Sequence, residues 1–184
     1  GPTGSGKTRL LSALARRGAQ VIDLEALANH RSSVLGALPG LAQPCQKRFE
    51  TLLWDCMRAF DPLRPVFIES ESKKVGNLSV PAKLVEQMRS SPCLDLQLPD
   101  DERVELLLED YAYLTRDVDY FCDRLAALTA LKGRIVVQAW QQQARHGQFA
   151  AVVRDLLLAH YDPAYLQSMQ RNFLGFRNAR PLRP

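Results

Sequence analysis

The residues best suited to chemistry stand at the start of the chain, where Gly1 to Thr8 read GPTGSGKT. The spacing Gly1-x-x-x-x-Gly6-Lys7-Thr8 is that of a Walker A phosphate loop. Glycines let consecutive backbone N–H groups turn towards phosphate oxygens without a side chain in the way. The phosphate-binding set is therefore Gly1, Thr3, Gly4, Ser5, Gly6, Lys7 and Thr8. Lys7 brings a positive charge to the terminal phosphate, and Thr8 offers a hydroxyl to a Mg²⁺ ion. The helix expected from Thr8 adds its N-terminal partial charge. A hydrated metal also needs a carboxylate at a neighbouring strand end. Glu69, closing the apolar run PVFIE, is the first choice for Mg²⁺, with Glu71 and Asp23 as further functional carboxylates.

Basic residues in pairs form a second class of candidates. His30–Arg31, Lys47–Arg48 and Lys73–Lys74 fall near strand ends or just after them, where open α/β sheets take their ligands. The net charge of +4 conceals a segregation: residues 100–123 hold nine acids against Arg103 and Arg116, a local charge of −7 that leaves +11 elsewhere. A polyanion is a natural partner for such a surface. Residues 171–184 interleave four arginines with Phe173 and Phe176. That pattern suits single-stranded RNA, although a disordered basic terminus is the default for such an end.

Cys45, Cys56, Cys93 and Cys122 are scattered without a C-x-x-C pair, and His30, His146 and His160 are equally dispersed. Neither a zinc site nor a disulfide framework is indicated. No apolar run approaches the ~18–20 residues that span a bilayer, and no signal peptide is visible, so a cytoplasmic location is expected.

These residues need elements to hold them. The apolar spacing predicts a helix over 8–17 stopped at Gly18, a strand at 20–24, a helix opening at 25–30 and a loop over 32–46. A helix over 46–60, a strand at 65–69 buried on both faces, a helix at 81–90 and a strand at 93–98 follow. Beyond Pro99 the pattern is helical, near 100–114, 117–131, 134–146 and 148–160. The fold class is α/β: a P-loop NTPase-like three-layer sandwich around a parallel sheet, with a helical C-terminal portion. Residues 1–99 form the P-loop core, 100–170 the helical portion of the same domain, and 171–184 a basic tail. The chain opens inside the loop, so the strand that normally leads into it is expected upstream.

Several longer segments carry a resemblance. QVIDLEALANHR (20–31), PCQKRFE (44–50), RPVFIESESKKVG (64–76) and HYDPAY (160–165) are similar to the P-loop domain of the tRNA 2-selenouridine synthase family. The resemblance extends from Gly1 to about Met169. Ser32, Cys45 and Lys73 depart from the family pattern, which has glycine, serine and arginine there; Lys73 keeps the charge without the guanidinium fork. The resemblance implies a transferase that replaces sulfur by selenium in wobble 2-thiouridine of tRNA. Selenophosphate would be the donor, and an S-geranylated intermediate would be made from geranyl diphosphate. It also implies an upstream rhodanese-like domain carrying the reactive cysteine, and none of the four cysteines here is assigned that role. Asp23, His30, Arg31, Lys47, Arg48, Glu71, Lys73 and Lys74 become candidates for substrate or tRNA contact. A nucleotide-dependent small-molecule kinase fits the same loop, as does a non-catalytic nucleotide switch. The first would need an arginine lid, whereas residues 124–134 are apolar; the absence of N-K-x-D disfavours a GTPase.

Overall fold

The computed structural model describes residues 1–31, 33 and 40–183. It is mostly helical with small β pairs, two of them parallel, an α/β arrangement of the P-loop kind. Two compact units result. An α/β unit comprises Lys7–Pro92 with Phe173–Gly175, and a helical unit comprises Gly1–Gly6, Cys93–Asn172 and Phe176–Pro184. The units do not follow the expected division at residue 99, because the strand after Pro92 and residues 1–6 go with the helices.

In the α/β unit, α1 (Lys7–Arg16) buries Leu11 and stops at Gly18, whose φ of +81° suits only glycine without strain. Ala19 N–H donates to Leu14 O and Gly18 N–H to Ala15 O, the paired bonds of a Schellman turn. The reversal feeds β1 (Gln20–Ile22), which pairs in parallel with β2 (Val66–Ile68), Gln20 opposite Val66 and Ile22 opposite Ile68. Between them lie α2 (Leu24–Ala28), capped by Asp23, and α3 (Gln46–Met57), whose buried Phe49 and Leu53 are one helical turn apart. The strand expected to be buried on both faces is not: Val66 is 40% exposed, and β2 has β1 as its only partner strand among the described residues. The loop expected over 32–46 falls partly on residues outside those described, Ser32 and 34–39.

A hairpin of β3 (Lys74–Val75) and β4 (Leu78–Ser79), missing from the sequence reading, turns on Gly76–Asn77. The signal was present, since a Gly-Asn pair between two short β-type runs is a two-residue hairpin turn. Gly76 adopts φ +59°, and α4 (Ala82–Ser90) starts directly after Pro81.

Three glutamines hold this unit together by acting as backbone surrogates. Gln43 donates to Ala28 O and Val75 O, and accepts from Asn77 N–H. Gln46 exchanges both its amide bonds with Ser79, N–H and C=O, as a neighbouring strand would. Gln20 donates to Asp61 O and Arg64 O at 3.1 Å each and accepts from Asp61 N–H, fixing the loop that delivers β2.

In the helical unit, β5 (Leu94–Leu96) leads to α5 (Asp100–Asp110), with three acids in its first turn where the helix dipole favours them. The break at Tyr111 cuts the helix expected to reach 114, and α6 (Ala112–Arg116), α7 (Val118–Ala126), α8 (Thr129–Lys132), α9 (Arg134–Arg145) and α10 (Phe149–Leu156) follow. Pairs α7–α9 and α5–α10 pack around Leu125, Val137, Trp140 and Val152, all buried. A π-turn over Leu157–Tyr161 then joins α11 (Asp162–Asn172), and a 3₁₀ turn (Leu174–Asn178) leads to β6 (Arg180–Leu182). β6 pairs in parallel with β5, Leu94 opposite Arg180 and Leu96 opposite Leu182. The basic end expected as a disordered tail is therefore structured: Phe173 is buried and residues 180–182 complete a sheet. Cross-strand hydrogen bonds and the burial of one aromatic outweigh the charge of the four arginines.

Gln20→Ala would remove the side-chain partner of Asp61 N–H and of the Arg64 carbonyl, and one of the two donors to the Asp61 carbonyl, which keeps Arg64 N–H. The variant is expected to lose about 2 kcal/mol of stability in urea unfolding, at roughly 1 kcal/mol per net hydrogen bond, with an unchanged denaturant slope.

Candidate functional site: a glycine-rich loop held by a buried arginine

Residues 1–6 form a tight turn in which Ser5 N–H donates to Pro2 O at 3.2 Å. Gly4 and Gly6 adopt φ +77° and +80°, conformations that an L side chain resists. The space is closed as well. A Cβ on Gly1 would sit 2.3 Å from Leu96 O, and one on Gly4 would sit 3.0 Å from Leu107 Cδ1 and 3.1 Å from Arg103 O. The first and fourth positions of the motif are thus glycines for lack of room, not only for flexibility.

Ser5 is 1% exposed and its Oγ has no hydrogen-bond partner. A buried hydroxyl without a partner costs free energy, which sets Ser5 apart from the other side chains of the loop. The chain passes without interruption into α1, whose first residues are the half-buried Lys7 and the exposed Thr8.

One face of α5 supports the loop. Arg103, Leu106 and Leu107 share that face by their i, i+3, i+4 spacing; Leu107 lies against Gly4, and Leu106 Cδ2 is 3.6 Å from the Cβ position of Gly6. Arg103 is 3% exposed. Its Nε and Nη2 donate to Thr3 O at 3.0 and 2.8 Å, and Nη1 donates to Asp100 at 2.9 Å. Asp162 receives a two-pronged pair, Nη2 to Oδ1 at 2.5 Å and Nη1 to Oδ2 at 3.0 Å. Burial alone would push the guanidinium below its ordinary pKa; the hydrogen bonds and charges of Asp162, then Asp100, more than offset that and hold it above. Sequence reasoning missed Arg103 and Asp162 as site residues. The signals were that Arg103 is one of two bases in the acidic stretch and that Asp162 lies inside HYDPAY.

The π-turn explains how Asp162 reaches Arg103. Asp162 N–H donates to Leu157 O, a span of five residues, and Pro163 has no N–H for the Ala159 carbonyl four residues before it. Lys132 Nζ donates to that carbonyl instead, at 2.5 Å. Desolvation, followed by the charge of Lys132, pushes His160 in the same turn below its ordinary pKa.

The predicted carboxylates and basic pairs belong to the α/β unit. Because Arg17–Ala19 reverse the chain, α1 and β1 run in opposite senses and pack together. Lys7 and Thr8 therefore start at the end of the β1–β2 pair where Asp23 and Glu69 leave their strands. Asp23 is committed to a structural bond, its Oδ1 accepting from Ala26 N–H at 2.8 Å as the α2 cap. Glu69 is 5% exposed, and its Oε1 accepts from Glu25 N–H at 3.0 Å. Burial first, then the charges of Asp23, Glu25 and Glu71, push its carboxyl up to about 8, against the pull of the Glu25 N–H. Among the described residues no three His, Cys, Asp or Glu side chains converge on a point that could hold a metal. Glu71 is half-buried, its N–H bonded to Glu69 O.

His30 and Arg31 are half-buried beyond α2, Lys47 and Arg48 are exposed on the first turn of α3, and Lys73 and Lys74 are exposed at the start of the hairpin. Gln43 and Gln46 tie those three elements to one another, so the pairs gather on one assembly although they are far apart in sequence. Burial raises the Cys56, Cys93 and Cys122 thiols, the reverse of what a reactive thiolate needs. No helix among the described residues is long and apolar enough to cross a membrane.

Comparison with known proteins decides the family. Residues 1–132 match the tRNA 2-selenouridine synthase AAA domain. The chain belongs to the tRNA 2-selenouridine synthase family. A relative of that name from Nitrosomonas eutropha is 30% identical over 97% of this chain and 58% of its own length. Another from Cupriavidus necator is 33% identical over 90% of this chain and 51% of its own, and one from Bdellovibrio bacteriovorus is 40% identical over 60% and 30%. The chain thus spans about half the length of the curated relatives it matches along most of its extent. No solved structure matches it.

The Glu69 shift fixes a pH dependence with a definite sign. Its carboxyl binds a proton more tightly folded (about 8) than unfolded (4.5), so its contribution is fully present below pH 4.5 and is lost as pH rises through 8. The melting temperature of the ligand-free protein is expected to fall between pH 5 and 8, and Glu69→Gln should flatten that fall in thermal melts across the range.

Proposed function

We propose that this chain is the phosphate-handling half of a tRNA-modifying transferase of the 2-selenouridine synthase type. The observation that carries the reading is the loop itself: two glycines in the left-handed region, a buried Ser5 hydroxyl without a partner, and α1 opening at Lys7. Gly1, Thr3, Gly4, Ser5, Gly6, Lys7 and Thr8 would bind a diphosphate group. The ligand is geranyl diphosphate, selenophosphate or a nucleotide, and the transferase reading favours geranyl diphosphate on the way to replacing sulfur by selenium in wobble 2-thiouridine. Loop N–H groups and Lys7 would stabilise charge on a departing diphosphate, the kind of electrostatic help that preorganised donors give. The family match favours this reading over a small-molecule kinase; within 124–134 only Leu125 and Leu128 are buried, so the packed helix expected there is a pair of short helices, α7 and α8, with an exposed outer side.

The donors fit Mg²⁺ in chemistry: Thr8 and Glu69 are hard oxygen ligands, and a divalent cation would have to displace the proton that burial keeps on the Glu69 carboxyl near neutral pH. The ion would supply charge neutralisation on the phosphates. With no cluster of three protein ligands among the described residues, the ligand's own oxygens and water would fill the other positions. Glu71 stands next to this carboxylate and Asp23 caps α2, so a substrate role for Asp23 passes through its second oxygen. His30, Arg31, Lys47, Arg48, Lys73 and Lys74 would hold tRNA phosphates. The upstream strand and a rhodanese-like domain with the reactive cysteine belong to the same reading, and the length of the relatives supports it.

Lys7→Ala is expected to abolish diphosphate binding in calorimetry while the melting temperature stays within about 1 °C, since a half-buried lysine at a helix start contributes little to stability. Undiminished affinity in a folded variant would remove the loop from the mechanism. Lys73→Ala with Lys74→Ala should weaken tRNA binding and reduce its salt slope by about one to two units, one for each lost phosphate contact. Incubated with thiolated tRNA, geranyl diphosphate and selenophosphate, this chain alone should yield no selenouridine by mass spectrometry of the nucleosides.

A further inference from the structure

We propose that Arg103 is a positioning residue for the phosphate loop, locking the Thr3–Gly4 peptide in the orientation that receives an anion, with Asp162 holding Arg103 in place. The inference rests on the phosphate-binding reading of the loop and deepens it. Thr3 O and Gly4 N–H belong to one planar trans peptide, so they point in opposite directions. Two N–H groups of Arg103 fix the carbonyl at 3.0 and 2.8 Å. The Gly4 N–H is thereby turned away from Arg103. Gly4 at φ +77° has no Cβ to resist rotation of this peptide. Without an external lock the plane can turn over and present a carbonyl oxygen, with its partial negative charge, where an amide proton is needed.

The lock is built to a standard that a structural ion pair on a surface would not need. Arg103 is 3% exposed, and each of its guanidinium nitrogens has a partner: Thr3 O, Asp100, or the two oxygens of Asp162. The fork of parallel bonds to Asp162 fixes the guanidinium plane, which a single bond would leave free to turn. Asp162 is itself aimed by the π-turn that Lys132 ties through Ala159 O. Lysine at position 103 would keep the charge but lose the plane, so charge and geometry can be separated by substitution.

The test uses inorganic diphosphate as the probe, with calorimetry for affinity, circular dichroism for folding and the Gly4 amide resonance for loop conformation. The wild-type chain is expected to bind. Arg103→Lys should weaken binding about tenfold, the equivalent of one lost charge-assisted hydrogen bond, and should shift and broaden the Gly4 amide in the ligand-free protein. Asp162→Asn, which keeps an acceptor for one prong, should produce a smaller loss in the same direction. Lys7→Ala should lose binding while leaving the ligand-free Gly4 amide where it is. A folded Arg103→Lys with unchanged affinity and an unmoved Gly4 amide overturns the positioning role. Should Arg103→Lys not fold, Asp162→Asn decides on the same two readouts. If the wild-type chain itself does not bind, the phosphate reading falls and the positioning role with it.

Discussion

A guanidinium buried at 3% exposure needs every one of its donors satisfied, and Arg103 meets that requirement with residues from three distant parts of the helical unit. Thr3 belongs to the loop, Asp100 to the first turn of α5, and Asp162 to the first turn of α11. Removing the Asp162 carboxylate would take away the two-pronged partner of a buried charge, a loss of ~3–5 kcal/mol. The glycines, the leucine face of α5 and the π-turn all serve this contact. Gly4 gives Leu107 its place, Leu106 lies across Gly6, and the five-residue span before α11 brings Asp162 to the fork.

The α/β unit obeys a different logic. Its strands are three residues or fewer, too short for ladders alone to fix them, so glutamine side chains extend the hydrogen bonding. Gln20, Gln43 and Gln46 each bond to backbone on segments remote in sequence. That scheme gathers three basic pairs and fixes the loop that delivers β2, after which Glu69 stands near Asp23 and Glu25. It also raises the Glu69 carboxyl, because acids close together in a dry place oppose one another's ionisation.

Much of this was legible in the sequence where a period repeats several times. α3, α4 and α9 stand close to where the apolar spacing put them, and the Gly18 stop is explained by its positive φ. The placement of Asp23 and Glu69 directly after β1 and β2 was legible because short apolar runs followed by a polar residue mark strand ends. Features set by partners far along the chain were not. The strand at Arg180–Leu182 contains proline and arginine, which argue against a strand until its partner is known. Arg103 reads as a solvated base in an acidic helix, and only Thr3 and Asp162 make it something else. The exposure of Val66 was hidden for the same reason, since an apolar run reveals nothing of how many neighbours it has.

The pairing of β5 with β6 has a kinetic consequence. Leu94 and Arg180 meet in register across nearly half the chain, and a parallel ladder offers no hairpin to nucleate it. Closing so long a loop is entropically slow, so α5 to α11 must assemble before β5 gains its partner. During synthesis β5 spends that interval with an unsatisfied edge, and Leu94, 46% exposed even in the finished fold, lies on it. In the nascent protein this short strand is the place where a wrong strand, from another copy or another protein, could pair first.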